Sequence, residues 1–346
     1  MRGVAFPGDG KLEVRDFPGP VPGAGEVLVK MRASGICGSD LMQLRRPKAD
    51  AQLHKTVPVG HEPCGVIEAL GPGASGVKVG DRVMVFHYSG CGLCKYCRTG
   101  YQQLCIHGFD YFGASRERGK GGGHADYMVV PADVCMRLPD GLSFEAGASI
   151  ACGTGTAYAA LKKLDVSGRD TLAVFGQGPV GLSATMIGAK MGARVIAVDV
   201  VPYRLELAKK LGASEVLDGS KLDPVKAIKE LTGGEGAEAT LECTARPQVR
   251  VQTIESAKLF GRACLVGEGG SMTLQDVSQQ IIHKHLTLYG SWTFTTWMLE
   301  EAANWMLARK APINDLITHR FKLEEAQEAY RLFQEGNTGK VVFTWE

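Results

Sequence analysis

Hydrophobic and polar positions follow one pattern before about residue 150 and another after it. In the first part, short runs of β-branched and other apolar residues are separated by glycine and proline, at 27–29, 65–67, 82–86 and 127–130. Runs of this length bounded by turn residues are typical of strands. The first part of the chain is therefore predicted to be an irregular domain rich in β structure.

After residue 150, apolar runs of strand length alternate with helical stretches. Strands are predicted at 171–175, 194–198, 215–217, 239–243, 262–266 and 286–289, and helices at 180–191, 202–211, 223–231 and 249–258. This alternation predicts a parallel, doubly wound sheet of the α/β class. Residues 171–189 carry no charge and approach the length of a membrane span, but their glycines, proline, glutamine and hydroxyl groups argue against one.

The tail of the chain contains two further predicted helices, at 299–308 and 324–335, and a predicted closing strand at 341–344. We expect this tail to return to the first domain. The predicted domains are then 1–150 together with 291–346, and 151–290.

A glycine-rich turn follows the first strand of the alternating region. The strand at 171–175 runs into a G-x-G-x-x-G segment that opens the next helix, formed by Gly176, Gly178, Pro179, Val180 and Gly181. In this position the first glycine permits a tight turn, the second lets the backbone approach a pyrophosphate, and the third lets the helix pack closely on the strand. The helix N-terminus would then face the phosphates of a dinucleotide.

An acidic residue ends the next predicted strand. Asp199 lies 23 residues after Gly176, where a carboxylate can accept hydrogen bonds from a ribose diol and would repel a 2′-phosphate. This favours NAD over NADP. The alternative is that Asp199 merely caps the helix that begins near Pro202. Arg204 is a candidate contact to adenine or ribose, or else a solvated surface arginine.

Charge and cysteine content narrow the possible partners. The chain has 346 residues, with 39 Lys and Arg against 37 Asp and Glu and no basic run, so we expect no nucleic acid partner and no binding to a charged membrane surface. The N-terminal residues lack the apolar core of a signal peptide, and we expect a cytoplasmic protein. In that reducing compartment, ten cysteines indicate metal ligation or buried thiols.

Four of the cysteines form a compact C-x2-C-x2-C-x7-C segment. They are Cys91, Cys94, Cys97 and Cys105, with glycines close by in the loop. Four thiolates at this spacing are best explained by one tetrahedral zinc ion. Because four cysteine ligands leave no open position, this zinc should be structural. A redox-active dithiol pair is the minor alternative.

A second set of metal-binding residue types is spread along the chain. Cys37 lies in Gly-Ile-Cys-Gly-Ser-Asp, His61 in Val-Gly-His-Glu-Pro, and Cys152 in Ile-Ala-Cys-Gly. Taken singly, each is more often a core thiol or a satisfied histidine. Together they can supply the three protein ligands of a catalytic zinc, with water or substrate oxygen in the fourth position.

With these motifs in this order, the chain resembles the zinc-dependent medium-chain alcohol dehydrogenases over essentially its whole length. The resemblance implies a β-rich catalytic domain of the chaperonin-10-like type and a doubly wound Rossmann nucleotide-binding domain, with the active site between them. It also implies two zinc ions per chain, NAD as cofactor, and a homodimer or homotetramer joined through the nucleotide domains.

The resemblance also implies roles for single residues. Cys37, His61 and Cys152 would bind the catalytic zinc, and Glu62 would be a carboxylate that approaches the metal when the fourth ligand exchanges. Ser39 would take the substrate proton, Asp40 would orient His61, and Thr156 would contact the nicotinamide. Lys340 is a further candidate, which would approach the cofactor from the tail.

The sequence departs from its relatives in the proton pathway and in the pocket. Met42 stands where many relatives carry a histidine that passes the proton to solvent, so the route beyond Ser39 stays open; the ribose hydroxyl and water, or His54, are alternatives. His87 stands where relatives place a residue of the pocket wall. A polar wall would suit a hydroxylated substrate.

The leading hypothesis is hydride transfer between NAD and a secondary alcohol or polyol, or its ketone. A simple primary or secondary alcohol dehydrogenase, or an aldehyde reductase, is the first alternative. A zinc-free quinone reductase of the same superfamily is disfavoured by the two cysteine sets. A non-catalytic protein that binds NAD or zinc would need a complete ligand set without turnover.

Overall fold

The computed structural model describes residues 1–51, 56–111 and 121–346. The strands in chain order are β1 (Arg2–Gly8), β2 (Lys11–Asp16), β3 (Glu26–Gly35), β4 (Pro63–Leu70), β5 (Arg82–Val85), β6 (Tyr88–Ser89), β7 (Asp110–Tyr111), β8 (Tyr127–Pro131), β9 (Cys135–Arg137), β10 (Thr171–Phe175), β11 (Arg194–Asp199), β12 (Glu215–Asp218), β13 (Ala237–Glu242), β14 (Ala257–Leu265), β15 (Thr287–Gly290), β16 (Ile317–Phe321) and β17 (Lys340–Thr344).

The helices are distributed along the whole chain. In chain order they are α1 (Gly38–Leu44), α2 (Lys95–Arg98), α3 (Phe144–Ser149), α4 (Gly155–Lys163), α5 (Pro179–Lys190), α6 (Pro202–Lys210), α7 (Pro224–Leu231), α8 (Pro247–Ser256), α9 (Thr296–Ala308), α10 (Ile313–Leu316) and α11 (Ala326–Glu335). A π-helical turn, Ile150–Thr154, joins α3 to α4. Among the described residues, no helix has both the length and the apolar character needed to cross a membrane.

The alternating region folds into a parallel sheet with the strand order β12-β11-β10-β13-β14-β15. Its side chains are buried on both faces. Leu172 and Val174 of β10 pack into one apolar cluster, whereas Ala173 and Phe175 pack into another on the opposite face. Burial on both faces explains the near-continuous apolar runs in the sequence, and it confirms the doubly wound α/β class.

The first part of the chain forms a second sheet with the order β16-β17-β3-β4-β5-β9, and β8 pairs with β3 outside this path. The tail takes part in this sheet. Strand β17 lies antiparallel to β3, with Val342 opposite Gly35, and β16 lies beside β17. The last residues of the chain therefore pack next to the strand that leads to Cys37.

A continuous helical rod connects the two sheets. Ser143 caps α3 by accepting a hydrogen bond from the Ala146 backbone N–H at 3.1 Å. The rod then passes through the π-helical turn and continues as α4. A π-helical turn inserts one extra residue in the helix and is frequent at functional sites. Cys152 lies in this turn.

The end of helix α8 differs from the prediction. The sequence pattern predicted a helix to residue 258, but α8 ends at Ser256 and β14 begins at once. Lys284 is the physical reason. Its Nζ donates hydrogen bonds to the carbonyl oxygens of Ile254, Glu255 and Ala257 at 2.8–3.0 Å, so it satisfies the last acceptors of the helix.

Candidate active site

Four metal-binding side chains from three separate parts of the chain form one cluster. They are Cys37, His61, Glu62 and Cys152, and their ligand atoms all lie within 4.8 Å of one another. Cys37 lies between β3 and α1, His61 and Glu62 immediately precede β4, and Cys152 is supplied by the π-helical turn. The sequence analysis named all four, and the structure brings them together.

Asp40 fixes the orientation of His61. Its Oδ1 lies 2.9 Å from His61 Nδ1, and its Oδ2 accepts a hydrogen bond from the Cys37 backbone N–H at 2.8 Å. Asp40 is fully buried. Because Nδ1 is held by the carboxylate, Nε2 is the nitrogen that can serve as a ligand. Ser39 Oγ lies 3.2 Å from that same Nε2, so a hydroxyl group stands at the edge of the cluster.

Glu62 is held by a lysine from the tail of the chain. Lys340 Nζ forms an ion pair with Glu62 Oε2 and donates a hydrogen bond to the Ile36 carbonyl at 3.0 Å. Both charged side chains are 0% exposed. Apart from this ion pair, neither carboxylate oxygen of Glu62 has a hydrogen-bond donor among the described residues. The structure thus places Lys340 against Glu62, beside the metal-binding cluster.

Close packing shifts the pKa values in this cluster. A hydrogen bond with Cys152 lowers the pKa of Cys37, and the same bond raises the pKa of Cys152. Burial lowers the pKa of His61, but Asp40 and Cys37 together outweigh burial, so the net shift is upward. Burial raises the pKa of Glu62. The cluster thus packs two hydrogen-bonded thiols, a histidine and a carboxylate side by side, an environment that a cation would stabilise.

The four-cysteine segment forms a second, separate cluster. The sulfur atoms of Cys91, Cys94, Cys97 and Cys105 all lie within 4.8 Å of one another. Backbone N–H groups of residues 93 and 94 donate to Cys91 Sγ at 3.4 and 3.3 Å. A Cβ on Gly90 would lie 2.5 Å from Cys97 Sγ, so glycine is needed there. A set of four thiols with N–H donors to sulfur fits a tetrahedral zinc site.

The glycine-rich turn has the geometry that the sequence predicts. Gly176 adopts a φ of +89°, and a Cβ on it would collide with the Thr244 side chain. A Cβ on Gly181 would collide with the Gly176 carbonyl, whereas the space around Gly178 is open. Gly178 is also the N-cap of α5 and makes no side-chain capping bond, and Pro179 occupies the first turn. The first N–H groups of α5, including that of Val180, therefore lie beside the open space at Gly178, and N–H groups at a helix N-terminus can bind phosphate.

Asp199 lies at the carboxyl end of β11, beside this turn. Its Oδ2 accepts a hydrogen bond from the Gln177 backbone N–H, and its Oδ1 accepts bonds from Val200 and Val201 at 2.7 and 2.9 Å. The capping alternative does not hold, because the N-cap of α6 is Val201 and has no side-chain capping bond; the bonds of Asp199 hold the turn before the helix. The same bonds fix its carboxylate next to the glycine-rich turn. Arg204, in α6, is close enough to interact with it electrostatically.

The metal-binding cluster and the glycine-rich turn lie close together. A Cβ on Gly153, next to Cys152, would be 3.9 Å from the Pro179 side chain. Thr154 Oγ1 lies 2.8 Å from Ser149 Oγ and 2.9 Å from Ser183 Oγ, which links the π-helical turn to α5. Thr156 follows in α4 and is 7% exposed, about one helical turn beyond Cys152.

His87 and a group of aromatic side chains form one side of the cluster. The His87 ring is 5.5 Å from the His61 ring, and its Nδ1 donates a hydrogen bond to the Ala151 carbonyl at 3.0 Å. Burial lowers the pKa of His87 to about 3, so the ring is neutral. The aromatic neighbours are Phe86, Tyr88, Phe294 and, further out, Phe109 and Trp292.

Met42 and His54 bear on the route that a proton takes beyond Ser39. Met42 is 53% exposed on α1 and offers no group that accepts a proton. His54 lies outside the described residues.

The four cysteines outside the two clusters are Cys64, Cys135, Cys243 and Cys264. Burial is the main cause that raises their pKa values, as expected for inert thiols.

Two family models match the chain. One, described as an alcohol dehydrogenase GroES-like domain, matches residues 23–140, and the other, described as zinc-binding dehydrogenase, matches residues 179–308. The uncharacterized zinc-type alcohol dehydrogenase-like protein YphC of Escherichia coli is 40% identical, over 100% of this chain and 99% of that protein. An L-threonine 3-dehydrogenase of Chromobacterium violaceum is 34% identical over 96% of each chain.

Solved structures give the same result. The alcohol dehydrogenase TADH from Thermus sp. ATN1 has a TM-score of 0.89 at 28% identity and covers 99% of both chains. Galactitol-1-phosphate dehydrogenase from Escherichia coli has a TM-score of 0.87 at 28% identity and covers 100% of both. The chain therefore belongs to the zinc-dependent medium-chain alcohol dehydrogenase family. It is a zinc- and NAD-dependent oxidoreductase that acts on the alcohol group of a small molecule.

His124 packs against Gly60, next to the metal-binding cluster. The sequence analysis missed it, because no motif surrounds it. Its Nδ1 lies 2.8 Å from Ser34 Oγ and its Nε2 lies 3.0 Å from the Tyr330 hydroxyl. The ring occupies the space that a Cβ on Gly60 would need, directly before His61. Burial lowers the pKa of His124 to about 4, so it is a neutral hydrogen-bonding bridge.

His124 makes stability depend on pH. Asp40 favours its protonation, whereas His61 and Lys340 oppose it, and burial sets the net direction. Between pH 6.5 and 4, the unfolded chain binds a proton at His124 that the folded chain does not, so folding loses about 1.4 kcal/mol per pH unit as the pH falls. We expect His124→Gln to remove this contribution. Denaturant unfolding of zinc-loaded protein from pH 7 to pH 5 tests it, and parallel curves for the two proteins would contradict it.

Proposed function

We propose that Cys37, His61 and Cys152 bind the catalytic zinc and that Glu62 approaches the metal when the fourth ligand exchanges. Zinc bound there would lower the pKa of the substrate hydroxyl, and NAD would accept the hydride. We further propose that Cys91, Cys94, Cys97 and Cys105 hold a structural zinc. What supports both assignments is the donor chemistry of the two clusters, each within 4.8 Å, together with the match to the zinc-binding family.

The protein groups around the first cluster have distinct roles in this proposal. Ser39 would relay the proton of the substrate hydroxyl: its Oγ, 3.2 Å from the ligand nitrogen of His61, would take that proton while its own hydroxyl proton passes to the ribose hydroxyl or water. Asp40 keeps His61 in the tautomer that presents Nε2. The aromatic side chains that enclose His87 exclude water from the reacting atoms, which strengthens every charge interaction there.

The cofactor site is proposed to follow the glycine-rich turn. The backbone N–H groups of Gly178, Val180 and Gly181 would bind the pyrophosphate. Pro179 has no N–H group and lies in the first turn of α5, and Gly176 permits the tight turn before the helix. Asp199 would bind the ribose diol, Arg204 would contact the adenosine portion, and Thr156 would contact the nicotinamide. The short distance from this turn to Cys152 through Gly153 supports the placement, because hydride transfer needs both sites to meet.

The substrate is proposed to be a secondary alcohol with a neighbouring hydroxyl or other polar group, such as a polyol. The observation that carries this is His87, a fully buried and neutral histidine 5.5 Å from the His61 ring. Donation from Nδ1 to Ala151 sets the tautomer and holds this polar ring beside the cluster. The relatives named L-threonine 3-dehydrogenase and galactitol-1-phosphate dehydrogenase also favour a polar substrate.

The division of the chain and its assembly are part of the proposal. Residues 1–150 and 291–346 would form the catalytic domain and residues 151–290 the nucleotide domain, which the membership of the two sheets supports.

We propose a homodimer or homotetramer joined through β15, which pairs on one side with β14 and ends the described sheet. Exposed apolar side chains near this edge support such an interface, namely Leu259, Phe260, Ile282 and Leu288. The many thiol ligands favour the reducing cytoplasm.

Replacement of Cys37 tests the catalytic site. We expect Cys37→Ser to bind one zinc per chain instead of two and to lose kcat/KM by more than about 100-fold, because the ligand set is then incomplete. Metal analysis and NAD reduction, with a panel from 2-propanol to polyols and L-threonine, measure both. Cys135→Ser is the matched control and should keep both metals. Unchanged activity of Cys37→Ser with any substrate would contradict the proposal.

Replacement of Asp199 tests the choice of cofactor. Asp199→Asn keeps an oxygen acceptor but removes the charge that repels a 2′-phosphate, so the preference for NAD over NADP in kcat/KM should fall by about tenfold. The control is Asp218→Asn at the end of the adjacent strand β12, where Asp218 pairs with Asp199 in the register. This control should leave the preference unchanged. An equal effect of both substitutions would show that Asp199 has no specific role.

Replacement of His87 tests the substrate class. His87→Phe preserves an aromatic ring but removes the polar group, so kcat/KM for polyhydroxylated or amino alcohols should fall by about tenfold relative to 2-propanol. The reason is that a substrate hydroxyl would lose its partner in a buried site. Steady-state kinetics on the two substrate groups give the ratio. If the ratio is unchanged, the polar group of His87 does not select the substrate.

A further inference from the structure

The buried ion pair between Lys340 and Glu62 calls for a physical explanation. Both side chains are 0% exposed, and they come from opposite ends of the chain. Burying two charges costs several kcal/mol per ion, and pairing recovers this only when the geometry is good. Such a pair is not needed to fill space, because apolar residues of similar volume would pack there at a lower cost. A role in the adjacent cluster is the better explanation.

The surroundings hold Lys340 in one place. Its Nζ also donates to the Ile36 carbonyl at 3.0 Å, and Ile36 directly precedes Cys37. A Cβ on Gly35 would lie 2.8 Å from Lys340 Cε and 3.1 Å from Glu62 Cδ, so any larger residue there would push the pair apart. Strand β17 is fixed beside β3 by the ladder that runs through Gly35. The ammonium group is therefore a fixed charge rather than a mobile one.

Glu62 has two possible partners. Its carboxylate lies within 4.8 Å of the ligand atoms of Cys37, His61 and Cys152, so it can reach a metal ion bound by them. It also lies against Lys340. Four protein ligands close a zinc site, whereas a catalytic site needs an open position for substrate. Unless something holds the carboxylate back, the four-residue cluster would be a closed site.

We infer that Lys340 is a positioning residue that holds Glu62 off the catalytic metal and so keeps the fourth coordination position open for the substrate oxygen. This inference rests on the proposed metal site. Lys340 competes with the metal for one carboxylate, so that Glu62 binds the metal only briefly, when one oxygen ligand replaces another. Removing the ammonium group would leave the metal as the remaining cation for a fully buried carboxylate.

The test uses the full-length protein with Co²⁺ in the catalytic site and imidazole as the probe of the open position. In Lys340→Met, Glu62 should occupy that position, so imidazole should bind at least tenfold more weakly and Co²⁺ should dissociate at least tenfold more slowly to a chelator. The visible absorption of Co²⁺ reports both. Lys340→Arg should keep values near those of the wild type, and so should Lys322→Met, an exposed lysine in the same tail.

The Glu62→Gln substitution distinguishes an effect that passes through Glu62 from a general loss of structure in Lys340→Met. Alone, it should change imidazole affinity by less than about twofold, because Glu62 is already off the metal in the resting protein. Combined with Lys340→Met, it should restore both imidazole affinity and the rate of Co²⁺ loss, a coupling that only interacting residues show. If Lys340→Met does not fold, Glu62→Gln alone decides: imidazole binding strengthened by tenfold or more would overturn the inference.

A metal count on the wild type tests the proposed metal site separately from the role of Lys340. Two metal ions per chain, with one lost in Cys37→Ser, support the proposed metal site without reference to Lys340. If that count holds and Lys340→Met binds imidazole and releases Co²⁺ as the wild type does, the inference about Lys340 is wrong while the proposed function stands. If the double variant keeps the defect of Lys340→Met, the effect does not pass through Glu62 and the inference is also wrong.

Discussion

The buried negative charge around the metal-binding cluster is the constraint on which the rest of the site depends. Two thiols, a carboxylate and the carboxylate that holds His61 lie within a few ångströms, and all of them except the Cys37 thiol are buried. Such groups repel each other strongly in a low-dielectric interior and can ionise together only beside compensating cations. In the proposed site a divalent metal would provide one compensation, and Lys340 provides another. The position of β17, the glycine at 35 and the backbone hydrogen bond of Asp40 hold these charged groups in place.

The helical rod from α3 to α4 brings chemistry and cofactor together. It begins beside the first sheet, carries Cys152 in its π-helical turn, and continues along the side of α5. Each residue of an α-helix turns the chain by about 100°, so one inserted residue rotates the residues after it by about that angle around the helix axis. The extra residue therefore lets one rod present Cys152 to the metal cluster and Thr154 to the nucleotide helix.

Local patterns in the sequence predicted those parts of the fold and site that depend on neighbouring residues. The glycine-rich turn, the four-cysteine segment and the alternation of strands and helices are of this kind, and the structure has all of them. The parts that could not be predicted depend on distant residues. Lys284 ends helix α8 from 28 residues beyond Ser256, and Lys340 reaches Glu62 across most of the chain. His124 likewise has no local signal, since its partners are Ser34 and Tyr330.

The two metal clusters differ in how much of the chain must exist before they can form. The residues of the four-cysteine cluster span 91–105, so the cluster is complete as soon as that segment is made. The other needs Cys37, Cys152 and, for the counter-charge, Lys340 in the last strand. Contacts over such separations form late, after long loops have closed. During synthesis, the metal proposed for the four-cysteine cluster could thus be loaded early, whereas the proposed catalytic metal would wait for Cys152 and its neighbouring counter-charge for the last strand.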